Sequence, residues 1–292
     1  MSSSARQRVL LSQNFLRDPR LVTTLLDRFR LGSDSIVYEI GPGEGVITEQ
    51  LALRYKHVVA IEKDRHLAQR LLRRFGDWPN VTIHCGDFLG YRLPHSPYTV
   101  FANIPFNITA AIVTRLTGAE CPPSVAYLTM QKEAAGMFAG QPRDSLRSIL
   151  LKPWFELEIV HRFQRSDFMP APRVDVVMLR LRKRGPPLVS NAERQYFRDF
   201  VVHTFTHWQP TSDHPLKDLF TRQQLAHIRR ELGFECCIAP TDLTIEHWLS
   251  LFGQLKKVNN GHARQVISGS ERCLRRQQRR LQKLHRTRAS SR

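Results

Sequence analysis

Several ordinary features are missing from this chain, and each absence removes a class of function. Its five cysteines (Cys85, Cys121, Cys236, Cys237 and Cys273) show no metal-like pairing, since Cys236 and Cys237 are adjacent and the others lie far apart. No metal centre is expected, and the thiols read as unreactive. No apolar run approaches the roughly 18 residues that a membrane span requires. Residues 1–6, Met-Ser-Ser-Ser-Ala-Arg, lack the apolar core of a signal peptide, so a cytoplasmic protein with no membrane partner is expected. Internal repeats are absent. Acidic residues are scarce: 26 Asp and Glu stand against 44 Lys and Arg, a formal net charge of +18. An excess of that size attracts polyanions and speeds encounter with them.

The charge is unevenly placed. From Lys256 onward twelve basic residues oppose the single acid Glu271. This segment, 256–292, reads as a basic disordered tail drawn to RNA phosphates without regard to sequence. Leu274, Leu281 and Leu284 would form a thin apolar stripe if it became helical on RNA. At 292 residues in all, 41% of them hydrophobic, the chain is long enough for its remainder to form one large domain, or one plus a small satellite.

Along that remainder, strand and helix signals alternate. Asp18-Pro19 reads as a helix start, with Gly32 as its end. Strands are expected at 36–40, 57–61, 81–85, 98–102 and 125–130, with helices at 46–54, 67–75 and 108–117 between them. Alternation of this kind implies a mostly parallel sheet with helices on both faces. Residues 155–160 and 176–181 would complete it as a hairpin-like pair. Beyond the Lys183-Arg184-Gly185-Pro186-Pro187 linker, Phe197, Phe200, Val201 and Phe205 have helical spacing, as do Leu225, Ile228 and Leu232. Thr244 can cap a last helix that buries Ile245, Trp248, Leu249 and Phe252. These aromatics read as the core of a small helical domain.

The loops at the strand ends carry the chemistry. The first strand runs directly into Gly41-Pro42-Gly43-Glu44-Gly45, a turn that lets a ligand approach the backbone. Its spacing is Gly-x-Gly-x-Gly, whereas the dinucleotide fingerprint is Gly-x-Gly-x-x-Gly. A nucleoside ligand such as S-adenosylmethionine therefore fits better than NAD. Glu62, at the end of the second strand, could accept both ribose hydroxyls, and Asp87, after the third, an adenine amino group. The fourth strand ends in Asn103-Ile104-Pro105-Phe106. The lone pair of an adenine amino nitrogen is delocalised into the ring. Asn103 and a nearby backbone carbonyl could draw that nitrogen toward a nucleophilic shape by accepting from its hydrogens, while Phe106 stacks on the base. Pro105 fixes its own φ and holds Ile104 extended. The same loop has no cysteine, which argues against a C5-pyrimidine methyltransferase.

With these motifs the chain resembles the rRNA adenine N6-methyltransferases, the superfamily of the Erm resistance enzymes and the KsgA-type housekeeping dimethylases. The resemblance covers about 12–252 and includes Ser12-Gln13-Asn14-Phe15-Leu16, Glu39-Ile40-Gly41-Pro42-Gly43-Glu44-Gly45, Glu62, Gly86-Asp87, Asn103-Ile104-Pro105-Phe106 and the segment from Phe168 to Val174. It implies an α/β fold: a Rossmann-like class I methyltransferase sheet with helices on both faces, plus a small C-terminal α-helical domain. The expected parts are a catalytic domain over 1–183, a helical RNA-binding domain over 184–255 and the tail.

The family pattern also implies roles. Gln13, Asn14 and Leu16 would border the methionine end of S-adenosylmethionine, with Glu39, Gly41 and Gly43 in the loop under its ribose and amino acid portion. Glu62 would hold the ribose hydroxyls and Asp87 the cofactor adenine. Asn103, within reach of both ligands, would hold the target amino group. Ile104 and Pro105 would complete the turn, and Phe106 and Phe168 would sandwich the target base. Asn-Ile-Pro-Phe, and Arg143-Asp144-Ser145-Leu146 leading into Trp154-Phe155-Glu156-Leu157, look more like Erm than KsgA. That implies 23S rRNA as partner, a monomer, and resistance to macrolides, lincosamides and streptogramin B. Where the family carries a basic, RNA-facing run, this chain has residues 207–215, His-Trp-Gln-Pro-Thr-Ser-Asp-His-Pro. A KsgA-like dimethylase and a non-catalytic RNA-binding factor on the same fold are the alternatives.

Overall fold

The computed structural model describes residues 14–209, 214–234, 238–258 and 261–289. Gln13, Cys236, Cys237 and residues 210–213 of the departure noted above lie outside them. The chain forms two compact units, one of residues up to Ala139 together with Phe155–Lys183, the other of Gly140–Trp154 together with Arg184 onward. The single boundary expected at Lys183 is therefore incomplete, because 140–154 groups with the C-terminal helices.

The first unit is built on a sheet whose strands are β2 (Ile36–Ile40), β3 (His57–Glu62), β4 (Val81–Cys85), β5 (Thr99–Asn103), β6 (Val125–Gln131), β7 (Phe155–Arg162) and β9 (Val176–Lys183). A separate two-residue strand, β1 (Phe15–Leu16), pairs antiparallel with β8 (Phe168–Met169), setting Leu16 opposite Phe168. Among the described residues the sheet order is β4-β3-β2-β5-β6-β9-β7. β2 to β6 run parallel, and β9 and β7 close the edge antiparallel. Every residue of β2, β3 and β5 except one terminal position in each is buried. That is the pattern of parallel strands covered by helices on both faces, and it explains their unbroken apolar sequence. β2 pairs with β3 on one side and β5 on the other. The order of strands reverses there, and a crevice opens at the carboxyl ends of such neighbours.

Helices follow the strands as their caps dictate. α1 (Pro19–Phe29) starts where Asp18 accepts from the Arg20 N–H at 2.8 Å, with Pro19 at the position that needs no donor. It ends at Arg30, not Gly32, because Arg30 itself takes the left-handed conformation at φ 47°. α2 (Val46–Ala52), α3 (Arg65–Phe75) and α4 (Thr109–Thr117) complete the crossovers, and Asp64 caps α3 through the His66 and Leu67 N–H groups. α5 (Lys132–Ala139) follows β6.

The second unit is helical: α6 (Leu146–Leu151), α7 (Arg194–His207), α8 (His214–Lys217), α9 (Arg222–Leu232), α10 (Ile245–Lys257), α11 (Gly261–Ile267) and α12 (Ser270–Ala289). Thr244 caps α10 by accepting from the His247 N–H. Phe197, Phe200, Trp248 and Phe252 are fully buried and meet edge-on or tilted, with Phe197 and Phe252 at 5.3 Å and 90°. Each large side chain buried this way contributes roughly 1.5–3 kcal/mol. The tail expected to be disordered from Lys256 is largely helical. α12 is tied to α7 by Glu271, which is 5% exposed and accepts a two-pronged bond from Arg198, Nη2 to Oε1 at 2.7 Å and Nε to Oε2 at 3.0 Å. The Glu271 N–H donates to Asp199 at 2.9 Å. Burial opposes ionisation of Glu271, but the Arg198 guanidinium and then Arg275 outweigh it and hold the carboxyl down at about 2. Among the described residues no helix is long and apolar enough to cross a membrane.

Candidate active site

The expected acids, glycines and Asn103 of the sheet unit lie at or next to the carboxyl ends of β2, β3, β4 and β5, the side on which the β2/β5 reversal opens. The glycine turn leaves β2 with φ of +70° at Gly41, +60° at Gly43 and +83° at Gly45, a conformation that side chains with a Cβ resist. At Gly43 the backbone also lies so close to Phe15 that an added Cβ would come within 2.4 Å of its ring. At Gly41 an added Cβ would meet nothing within 4 Å. The turn is thus packed on one side by Phe15 and open at Gly41.

Two acids stand behind it. Glu62, at the end of β3, is buried and accepts from the Gly43 N–H at 3.1 Å and the Asp64 N–H at 2.8 Å. Burial raises its pKa, opposed by those backbone bonds. Glu39, in β2, is 1% exposed and accepts from the Thr48 hydroxyl at 2.6 Å through Oε2, while Oε1 is buried with no partner. Burial pushes its carboxyl up to about 8, the Thr48 bond works against that, and the Glu62 charge adds to it. A buried carboxylate oxygen without a donor costs on the order of 1–3 kcal/mol. It is an acceptor in place for a cationic or hydrogen-bonding ligand. The open cradle at Gly41 and this oxygen both fit a nucleoside that carries an amino acid, as S-adenosylmethionine does.

Asp87, after β4, is exposed and already engaged. It accepts from Lys63 at 2.7 Å and from the Leu89 N–H at 3.0 Å. The Lys63 bond, then that of Leu89, lowers its pKa. A carboxylate has about four acceptor positions, so capacity for an amino group remains.

Asn103 ends β5. Its Nδ2 donates to the Asn14 carbonyl at 2.6 Å, joining the expected target-binding residue to a residue expected at the methionine end. The amide is planar, so this bond fixes its plane and leaves Oδ1 as the acceptor. Ile104 is buried and its N–H donates to the Thr129 carbonyl at 3.2 Å, which extends the β5–β6 ladder past Asn103. Pro105 (φ −60°, ψ 129°) then turns the chain into a short 3₁₀ segment that begins at Phe106. Phe106 is half-buried and packs against the apolar cluster that contains Leu16 and Phe168. Phe168 differs from its expected part. It is 2% exposed, with its ring edge-on to Phe163 at 5.3 Å, so in this conformation it has no open face on which a base could stack.

The sequence alone did not single out Thr48, Lys63 or Phe15 as site residues. Each supports a neighbour that it did: Thr48 holds Glu39, Lys63 holds Asp87, and Phe15 packs on Gly43. Lys63 lies next to Glu62 in sequence, and Thr48 lies in the first turn of α2. Neither carries a signal of its own.

Known proteins are similar to this chain over most of its length. The rRNA adenine N-6-methyltransferase of Saccharopolyspora erythraea is 30% identical over 90% of this chain and 69% of its own length. Ribosomal RNA small subunit methyltransferase A of Bacillus mycoides is 31% identical over 84% of this chain and 90% of its own. Among solved structures, the 23S rRNA methyltransferase ErmE superposes with a TM-score of 0.77 at 31% identity, covering 83% of this chain and all of that one. The family model described as Ribosomal RNA adenine dimethylase matches residues 4–257. By sequence and fold, the chain belongs to the ribosomal RNA adenine dimethylase family.

Proposed function

We propose that this protein methylates N6 of an adenine in 23S rRNA, using S-adenosylmethionine, and so confers resistance to macrolides, lincosamides and streptogramin B. The observation that carries the reading is the Asn103–Asn14 bond at 2.6 Å, which couples the Asn-Ile-Pro-Phe turn to the N-terminal segment beside the glycine loop. The likeness to ErmE, 31% identical over its whole length, favours 23S rRNA, and the Asn-Ile-Pro-Phe and Arg-Asp-Ser-Leu motifs agree with it.

S-adenosylmethionine supplies, when bound, an electrophilic methyl group on a sulfonium. Gly41 would admit it to the backbone, with Gly43 holding the turn against Phe15, while Glu39 and Glu62 would offer carboxyl oxygens to its polar groups and Asp87 to its adenine. Asn103 Oδ1 and a carbonyl of the same turn accept from the target amino group. Phe106 stacks on the base, which must first leave any helix, at a few kcal/mol. The residues mainly position the reactants. No strong base is required, because an alkylated amino nitrogen becomes acidic and can lose its proton to water. The Asn103→Ala protein is expected to bind S-adenosylmethionine normally in calorimetry and to lose turnover. Equal loss of both would remove the role given to Asn103.

The likeness to small subunit methyltransferase A of Bacillus mycoides, at 31%, supports a second reading with the same pocket and the small-subunit rRNA as substrate.

A further inference from the structure

From Lys256 onward twelve basic residues oppose the single acid Glu271, and all but the first two follow the last residue that the family model matches. The earlier basic residues of this segment are held within the second unit: Lys256 pairs with Glu193 at 2.9 Å, and Arg264 lies over the Tyr196 ring at 4.8 Å. α12 is different. Arg272, Arg275, Arg276, Arg279 and Arg280 recur at intervals of three, four, seven and eight residues, which on an α-helix places all five within an arc of about 140°. All five are exposed. Glu271 falls outside that arc, and it alone of these residues is buried, in the bonds to Arg198 and Asp199. The helix is thus held to α7 by one side and presents its arginines on the other. Arg275, at the border, also reaches Glu271 at 2.6 Å. No Asp or Glu occurs after Glu271, so within the helix only Arg275 of the stripe has an acidic neighbour.

We propose that α12 is a preformed RNA-binding helix whose Arg272, Arg276, Arg279 and Arg280 contact the phosphates of an RNA duplex in the substrate. This rests on the rRNA methyltransferase reading and adds to it a contact surface outside the catalytic unit. The four side chains span about 12 Å along the axis, enough to meet several successive phosphates. Guanidinium groups pair with phosphate oxygens in a two-pronged manner, and such contacts carry no sequence information. Because the helix is already formed and docked, it gives up little conformational freedom on binding. A second basic surface of this kind also offsets the non-basic residues 207–215.

The test replaces Arg272, Arg276, Arg279 and Arg280 together by Gln in the full chain, with the four Arg→Lys replacements as a charge-retaining partner. Binding to a plain, labelled RNA hairpin is measured from about 50 to about 200 mM salt, alongside methylation of 23S rRNA. The Gln variant is expected to bind the hairpin at least ~10-fold more weakly at low salt, with the salt slope flattened by about 3. The Lys variant is expected to keep the slope, and kcat at saturating rRNA to be unchanged in both. An unaltered slope and affinity in the Gln variant, with its melting temperature intact, would overturn the proposal. So would intact RNA binding combined with lost binding to phosphatidylserine vesicles, which would assign the stripe to a membrane surface. The hairpin titration needs no methyl transfer. A wild-type protein that fails on 23S rRNA would therefore count against the proposed activity and not against this surface.

Discussion

The Gly43 N–H donates to Oε2 of Glu62 at 3.1 Å, so the turn that follows β2 and the acid that ends β3 are held as one piece. The bond requires the Gly43 backbone in its left-handed conformation and the Glu62 carboxyl out of water. Glycine takes that conformation without steric cost, and its N–H offsets part of the cost of burying the Glu62 carboxyl.

Gly41 and Gly43 of the turn differ in what a side chain there would meet. Alanine at either costs about 1–2 kcal/mol for the left-handed backbone. Gly43→Ala must in addition displace Phe15, whose ring lies 2.4 Å from the added Cβ, whereas Gly41→Ala meets no neighbour within 4 Å. Thermal melting of the ligand-free protein is expected to fall by several degrees more for Gly43→Ala. Calorimetry with S-adenosylmethionine is expected to show at least ~10-fold weaker binding for Gly41→Ala, because its methyl group enters the cradle. Equal melting losses in the two variants would contradict this division.

Glu39 makes the ligand-free protein sensitive to pH. Burial holds its proton up to about pH 8 in the folded chain, against an ordinary value of 4.5. Between those two values the folded state binds more protons than the unfolded one, so stability falls as pH rises through that window. Glu62, raised by the same cause, acts in the same direction. Glu39→Gln removes this titrating group and leaves Glu62 in place. It is expected to be more stable than the parent by at least ~1 kcal/mol at pH 8, and nearly equal to it at pH 4.5. Denaturant titrations at the two pH values measure the difference, and parallel pH profiles would refute the assignment.

Phe106 and Phe168 are expected to fail in different ways. Phe168 is fully buried, and truncating a buried phenylalanine costs about 3–5 kcal/mol, so Phe168→Ala should first appear as a loss of folding stability. Phe106 is half-buried at the Asn103 turn. Phe106→Ala should leave melting within a few degrees of the parent and lower kcat/KM for rRNA by a factor of ten or more. If Phe168→Ala instead melts normally and loses only activity, its ring turns outward to meet the base, as the family pattern implies.

These contrasts also mark what could be read from sequence. The strands of the sheet were legible to within two residues, the central ones because buried parallel strands are continuous apolar runs with polar loops between them. Ile36–Ile40, with four of its five residues buried, matches to the residue. The acids expected at the site drew attention because they sit where such strands end. The helix over Lys132–Ala139 was not, since a glycine interrupts it and only one face is apolar. The β1–β8 pair joins two-residue strands from distant parts of the chain, and local pattern cannot show that. Glycine is the usual helix terminator, so Gly32 drew attention from Arg30. The basic tail was misread for a related reason: its charge argues for disorder, and the Glu271–Arg198 pair that orders it is a contact between residues more than a helix apart. Phe168 was legible as part of a motif but not as buried, because burial depends on Phe163 and Leu16 around it.

The most direct test of the central claim is the substrate itself. Purified protein would be incubated with methyl-labelled S-adenosylmethionine and, in separate reactions, protein-free 23S rRNA and assembled small ribosomal subunits, and the labelled nucleotide identified. Label on the N6 position of an adenine in free 23S rRNA is the expected result. Label on the small subunits alone, with none on 23S rRNA, would contradict the account and move the protein to the housekeeping branch of its family.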